Sequence, residues 1–282
     1  MESILAGRQR NVTISSEAPT VIIGERINPT GKKKLAEALH AGDMEMARQL
    51  ALTQAEQGAS VIDVNVGAAG VDEAAILPLA VETAASATGL PISIDSTHEK
   101  ALPAALKICG GMPLINSVTG EAASLARVLP LIKEFNTAVI GLTMDDDGIP
   151  ETSEDRLRVA EKIVERAARL GIGPERILID CLTLTVGADH RAGAVTLGAI
   201  QLVREKLGVN LTLGASNVSY GLPDREALNN CFIALAIGAG VNCPIVDPSK
   251  ALGAIRIADL LTGRDEYSQN YLTYYRATHP EA

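Results

Sequence analysis

A short run of Val, Ile and Leu that halts at a polar residue, with helical spacing directly behind it, recurs along this chain and restricts its folds more than any other feature. The stretch from Pro91 to Thr97, PISIDST, shows the pattern at its plainest. Ile92 and Ile94 mark a run too short and too β-branched for a helix. Asp95-Ser96-Thr97 ends it, and His98-Glu99-Lys100-Ala101-Leu102 begins a helical pattern. A buried strand that delivers a carboxylate at its C-terminal end and then turns into a helix is the repeating unit of a βα-barrel.

Eight such strands are readable in order: 21–24, 61–67, 91–95, 113–117, 138–142, 177–180, 211–214 and 244–247. Helical patterns separate them, among them 43–58, 71–88 and a long helix that Ser153-Glu154-Asp155 starts and that reaches Leu170. An open doubly wound sheet is the competing topology, but its first turn usually carries a Gly-rich phosphate fingerprint. The turn here reads GERINPTG, with no GxGxxG. The expectation is therefore one α/β domain, a (β/α)8 TIM barrel over residues 19–264. Residues 1–18 read as a polar N-terminal arm, and 265–282 as a tyrosine-bearing C-terminal tail.

Composition narrows the partners. A net charge of −9 argues against nucleic acid, whose phosphates need clustered Lys and Arg. No apolar run has the roughly 18 residues of a membrane span, and MESILAGRQR lacks a signal-peptide core. The four cysteines (Cys109, Cys181, Cys231, Cys243) form no CxxC pair and have no histidine at zinc spacing. No metal site is expected, and scattered thiols point to a reducing cytoplasm.

In a barrel the C-terminal strand ends converge on one face. That face would display Glu25, Asn28, Asp63, Asn65, Asp95, Asn116, Thr143, Asp180, Ser216, Asn217 and Asp247. The set is rich in carboxylates and amides, holds no histidine and has no clustered Lys or Arg. Such groups suit a neutral ligand with many N–H donors, such as the amino-oxo edge of a pterin, because one carboxylate accepts two parallel N–H bonds. Asp and Asn after strands are also ordinary caps and turn residues. Asp95, Asn116 and above all Asp247, which precedes Pro248, fit that duty too. Asp63 and Asp180 follow apolar residues, where an unpaired carboxylate is costly, so a partner or a function is expected. Asp145-Asp146-Asp147 reads as a solvated loop, and His98 and His190 as surface residues. Lys32-Lys33-Lys34 reads as a solvated run, or as a contact for an anionic partner or polyglutamate tail.

Together the strand-end motifs resemble the pterin-binding methyltransferase family. They are GERIN (24–28), DVNVG (63–67), IDST (94–97), INS (115–117), GLTMDDDGIP (141–150), ILID (177–180) and LGASNVS (213–219), in register over nearly the whole chain. The family includes the methyltransferases of corrinoid/iron–sulfur proteins and of corrinoid-dependent O-demethylase systems. The resemblance implies a homodimeric barrel that moves a methyl group between N5 of tetrahydrofolate (as 5-methyltetrahydrofolate) and the cobalt of a corrinoid held by a partner protein in trans. It implies that Asp95, Asn116 and Asp180 hold the pterin, with Asp63 in support, and that Asn217, in a loop with Gly214 and Ser216, reaches N5. Two departures stand out: Cys181 where relatives often have proline, and Asp145 where an asparagine is familiar. The alternatives are a dihydropteroate synthase-like pterin enzyme and a folate-binding subunit without catalysis. The first would be expected to carry a basic motif where Ser216-Asn217-Val218-Ser219 stands here.

Overall fold

Residues 1–18, expected as an irregular arm, instead open with a hairpin of strands β1 (Glu2–Ala6) and β2 (Asn11–Ser15) in the computed structural model, which describes residues 1–280. Ser3, Leu5 and Ile14 turn inward at a period of two and are fully buried. Leu5 and Ile14 pack against Val21, Ile23, Val61, Leu114, Ala138, Ile140, Leu178 and Cys243. The hairpin is thus a plug, each apolar side chain contributing about 1.5–3 kcal/mol. A buried amide chain fastens it. Asn210 donates to Ser3 Oγ (2.8 Å) and to the Ile14 carbonyl (3.1 Å), and accepts from Asn242 Nδ2 (2.7 Å).

The barrel follows as expected. Its first units are β3 (Ile23–Ile27), α1 (Lys33–His40), α2 (Glu45–Glu56), β4 (Val61–Val64), α3 (Glu73–Thr88), β5 (Ile92–Asp95) and α4 (Ala101–Cys109). Next come β6 (Leu114–Thr119), α5 (Ala122–Glu134), β7 (Ala138–Leu142), α6 (Ser153–Arg169), β8 (Ile177–Asp180) and α7 (Ala192–Leu207). The last turn holds β9 (Asn210–Gly214), α8 (Arg225–Ala239), β10 (Cys243–Val246) and α9 (Pro248–Leu261), and α10 (Gln269–Thr278) occupies the tail. All eight barrel strands are parallel, and β10 closes on β3 through Ile245 opposite Ile23 and Val246 opposite Gly24.

Two differences from expectation have simple causes. Helix α1 begins within the Lys32-Lys33-Lys34 run, which hides its apolar stripe, although Leu35 and Leu39 sit one turn apart and are buried. The cap of α6 is Thr152, whose hydroxyl accepts from Asp155 N, one residue before the expected Ser153. Asp72 caps α3, and Gly89, at φ 68°, ends it in a left-handed conformation that favours glycine.

Candidate functional site

Alternation along the strands sets the site. Ile23, Val61, Leu114, Leu178 and Cys243 form an apolar interior layer at the strand starts. Two residues further on, side chains point the same way one layer higher. Those positions are Glu25, Asp63, Asn116, Asp180 and Ile245; Asp95 follows Ser93 and Asp247 follows Ile245 in the same step. The barrel interior therefore changes from hydrocarbon to carboxylates and amides over one layer.

Four members are tied in two pairs. Asp63 Oδ1 accepts from Ser93 Oγ (2.7 Å) and Asn116 Nδ2 (3.1 Å), which fixes the Asn116 amide. Asp95 is not a helix cap; its Oδ2 accepts from Asn65 Nδ2 (2.9 Å), while Asn65 Oδ1 takes the Gly67 N–H (2.8 Å). Burial and the neighbouring Asp95 raise the pKa of Asp63 well above the usual carboxylate range. Burial also raises the pKa of Asp95, against the hydrogen bond from Asn65.

Asp180 stands across the mouth. Its Oδ1 accepts from Leu182 N (2.7 Å) and its Oδ2 from Gly214 N (3.2 Å), so it spans the ends of β8 and β9. Burial lifts it to about 6, although both N–H groups favour the anion. Beneath it lies Arg156 of α6, only 1% exposed. Its guanidinium donates to the carbonyls of Pro150 (3.0 Å), Cys181 (2.9 Å) and Leu182 (2.8 Å). It pins the loop that follows Asp180, with Leu182 held at φ 57°. Cys181 itself is buried, and burial pushes its thiol far up.

A cavity of about 580 Å³ opens beside this floor, between the ends of β3, β9 and β10 and the start of α8. Gly214, Ser216 and Asn217 line it, whereas Asp63, Asp95, Asn116 and Asp180 lie outside its wall. Asn217 is exposed in a short 3-10 turn, Ala215–Ser219. Arg225 holds that turn, donating to the Ser216 carbonyl (2.9 Å) and to Ser219 Oγ (3.1 Å). The strand-end face, expected to lack clustered basic residues, does gather them: Arg26, Lys32, Arg225 and Lys250 all line the cavity. They come from three separate segments, the end of β3 with its loop, α8 and α9, which is why no run in the sequence announces them. Arg26 pairs with Asp247 (2.7 Å), and Lys32 donates to the Arg26 carbonyl (2.8 Å). Asp247 caps α9 through Ser249 N as well. Burial alone would raise Asp247, but Ser249 and Arg26 hold it below the usual range.

The other singled-out residues lie apart. His98 Nδ1 accepts from Lys100 N and Ala101 N at the start of α4, and His190 is exposed. Asp145 closes a tight turn with Gly148. Among the described residues no group of three or more His, Cys, Asp or Glu side chains could hold a metal ion.

The mouth of this parallel barrel is thus floored with acids and amides. Residues 24–247 match the model of the pterin binding enzymes, and the chain belongs to that family. It is 33% identical over 261 residues to methionine synthase of Mycobacterium tuberculosis (strain ATCC 25618 / H37Rv), covering 88% of this chain and 22% of that protein. The chain thus spans about a fifth of the methionine synthase. It is 31% identical over 264 residues to the methylcorrinoid:tetrahydrofolate methyltransferase of Eubacterium limosum, covering 91% of this chain and 96% of that protein. Among solved structures, a dihydropteroate synthase of Xanthomonas albilineans shares the fold at a TM-score of 0.66 and 19% identity, over 93% of this chain and 98% of that one.

Proposed function

We propose that this chain transfers a methyl group between N5 of 5-methyltetrahydrofolate and the cobalt of a corrinoid carried by a separate protein. The observation that carries the reading is the similarity to the Eubacterium limosum methyltransferase, which runs nearly end to end in both chains. In this reading Asp95, Asn116 and Asp180 take the pterin by its N–H groups, Asp63 anchors Asn116, and Asn217 swings over N5 from the turn that begins at Gly214 and Ser216.

The residues suit the chemistry. A methyl group on a neutral tertiary amine transfers poorly, because the nitrogen would depart as an anion. Positive charge must build on N5, and the cobalt then supplies or receives the carbon. An exposed amide such as Asn217 can orient toward N5 as that charge develops, and a polar contact made only then lowers the barrier by about 1–3 kcal/mol. No nucleophilic side chain is needed, in keeping with the buried thiol of Cys181.

We infer a homodimer as well, supported by the resemblance and by Leu228 and Leu235 on α8 and Ile257 and Leu261 on α9, all exposed. A cytoplasmic setting fits the four unpaired cysteines, and no described helix is long and apolar enough to cross a membrane. The test mixes the protein with 5-methyltetrahydrofolate and free Co(I) cobalamin and follows methylcobalamin by absorbance. The wild type accelerates its formation, while Asn217→Ala loses turnover and still binds folate. Folate binding without acceleration would mark a carrier subunit instead.

A further inference from the structure

We propose that Glu25 is the acid that gives N5 its proton, an assignment that rests on the methyl-transfer reading and deepens it. Five carboxylates stand at the strand ends around the mouth (Glu25, Asp63, Asp95, Asp180 and Asp247), and a sixth, Glu226 on α8, lines the cavity but is exposed to solvent. Four have donors: Ser93 and Asn116 on Asp63, Asn65 on Asp95, Leu182 and Gly214 on Asp180, Arg26 and Ser249 on Asp247. Of the five at the strand ends, Glu25 alone has no hydrogen-bond donor on either oxygen among the described residues. Four acids are thereby committed as acceptors, and the fifth keeps both oxygens free to carry a proton.

Backbone packing aims it. Gly24 faces outward, where a Cβ would stand 2.6 Å from Gln54 Oε1, and that same oxygen takes the Arg26 N–H (2.7 Å). Pinned on both sides, Glu25 projects inward, above Ile23, into the cavity that Gly214, Ser216 and Asn217 also line. It thus shares one wall with the amide expected at N5. The charged groups around it are Asp247 just past β10, Asp63 from β4, Arg26 and Lys32 from the end of its own strand, Arg225 and Glu226 from α8, and Lys250 from α9. Burial and Asp247 raise its pKa, opposed by Lys32, Arg26 and Arg225. A ring seated over the cavity removes more water and favours the neutral acid further.

The step balances. With methylated folate as donor, the Glu25 O–H bond breaks and its proton moves to N5. The N5–methyl bond then breaks with its electron pair left on nitrogen, so the amine leaves neutral. The two electrons of the new carbon bond come from the cobalt, and the Glu25 carboxylate regains a proton from solvent. In reverse, the N5 pair takes the methyl group and the proton returns to Glu25.

Glu25→Gln keeps the shape and loses the proton. With 5-methyltetrahydrofolate and free Co(I) cobalamin, kcat is expected to fall by about 100-fold while the folate Kd changes by less than about threefold. The wild-type kcat falls as pH rises through the Glu25 pKa, and that limb is absent in Glu25→Gln. Glu25→Asp, which restores an acid on a shorter stem, recovers part of the rate and the limb. Titration calorimetry in two buffers of different ionisation enthalpy gives a readout without turnover: folate binding takes up protons in the wild type and not in Glu25→Gln. Unaltered kcat with an unaltered pH profile overturns the proposal, as does equal proton uptake in both proteins. If the wild type binds no folate, the functional reading fails and this inference with it; an active wild type with an equally active Glu25→Gln sinks the inference alone.

Discussion

Asp180→Asn should exchange function for a stability that no longer falls as pH rises through the titration of that one site. The Asp180 carboxyl is buried and lifted from an ordinary 3.8 to about 6. At about 1.36 kcal/mol for each pH unit, that displacement is worth about 3 kcal/mol. Its sign follows from proton counts. Below pH 3.8 the group is protonated folded or unfolded, and nothing is lost. Between 3.8 and about 6 the unfolded chain holds fewer protons, so stability falls with rising pH; above about 6 the loss is complete. Asparagine removes the charge but offers one oxygen to two N–H groups, Leu182 and Gly214, at a constant cost of about 1–3 kcal/mol. Guanidinium unfolding of both proteins across this pH range, followed by circular dichroism, isolates the effect, since every other carboxylate is common to both. The wild type is expected to lose about 3 kcal/mol relative to Asp180→Asn, or roughly 6–12 °C in relative Tm. A difference in stability that stays constant with pH would refute the reasoning.

Three further outcomes are expected. Leu5→Ala empties the middle of the plug and costs about 2–5 kcal/mol in denaturant unfolding, with folate affinity unchanged in calorimetry because the site lies at the other end of the barrel. Arg156→Met orphans three carbonyls beneath Asp180, so unfolding should show a loss of about 3 kcal/mol or more and folate binding should weaken as the loop loosens. Asp95→Ala should weaken folate binding at least about tenfold by titration calorimetry, the size expected for losing a hydrogen bond to a charged group.

The barrel was legible because a strand buried on both faces must be short and apolar, and because the chain turns polar at each strand's end, where it leaves the core. PISIDST and ILID show both signals within a few residues. The hairpin was not, since β1 sends the polar Ser3 inward and the apolar Ile4 outward, and each strand sends only one large apolar side chain, Leu5 or Ile14, to full burial. The acids and amides could be read off one strand end at a time. The cations around the cavity could not, because only closure of β10 on β3 brings Lys250 and Arg225 near Arg26 and Lys32. Arg156 was hidden differently: in a helix with charges at most positions, one arginine facing inward resembles its solvated neighbours.

The hairpin has a last consequence for traffic. Packed hydrocarbon from the plug to the carboxylates turns the barrel into a blind well with a single brim. On the proposed function, whatever protein brings the cobalt must sit on that brim, and so it corks the route by which the spent folate departs. Turnover then requires the two proteins to part after every methyl group, and a partner that clung too long would be a slower one.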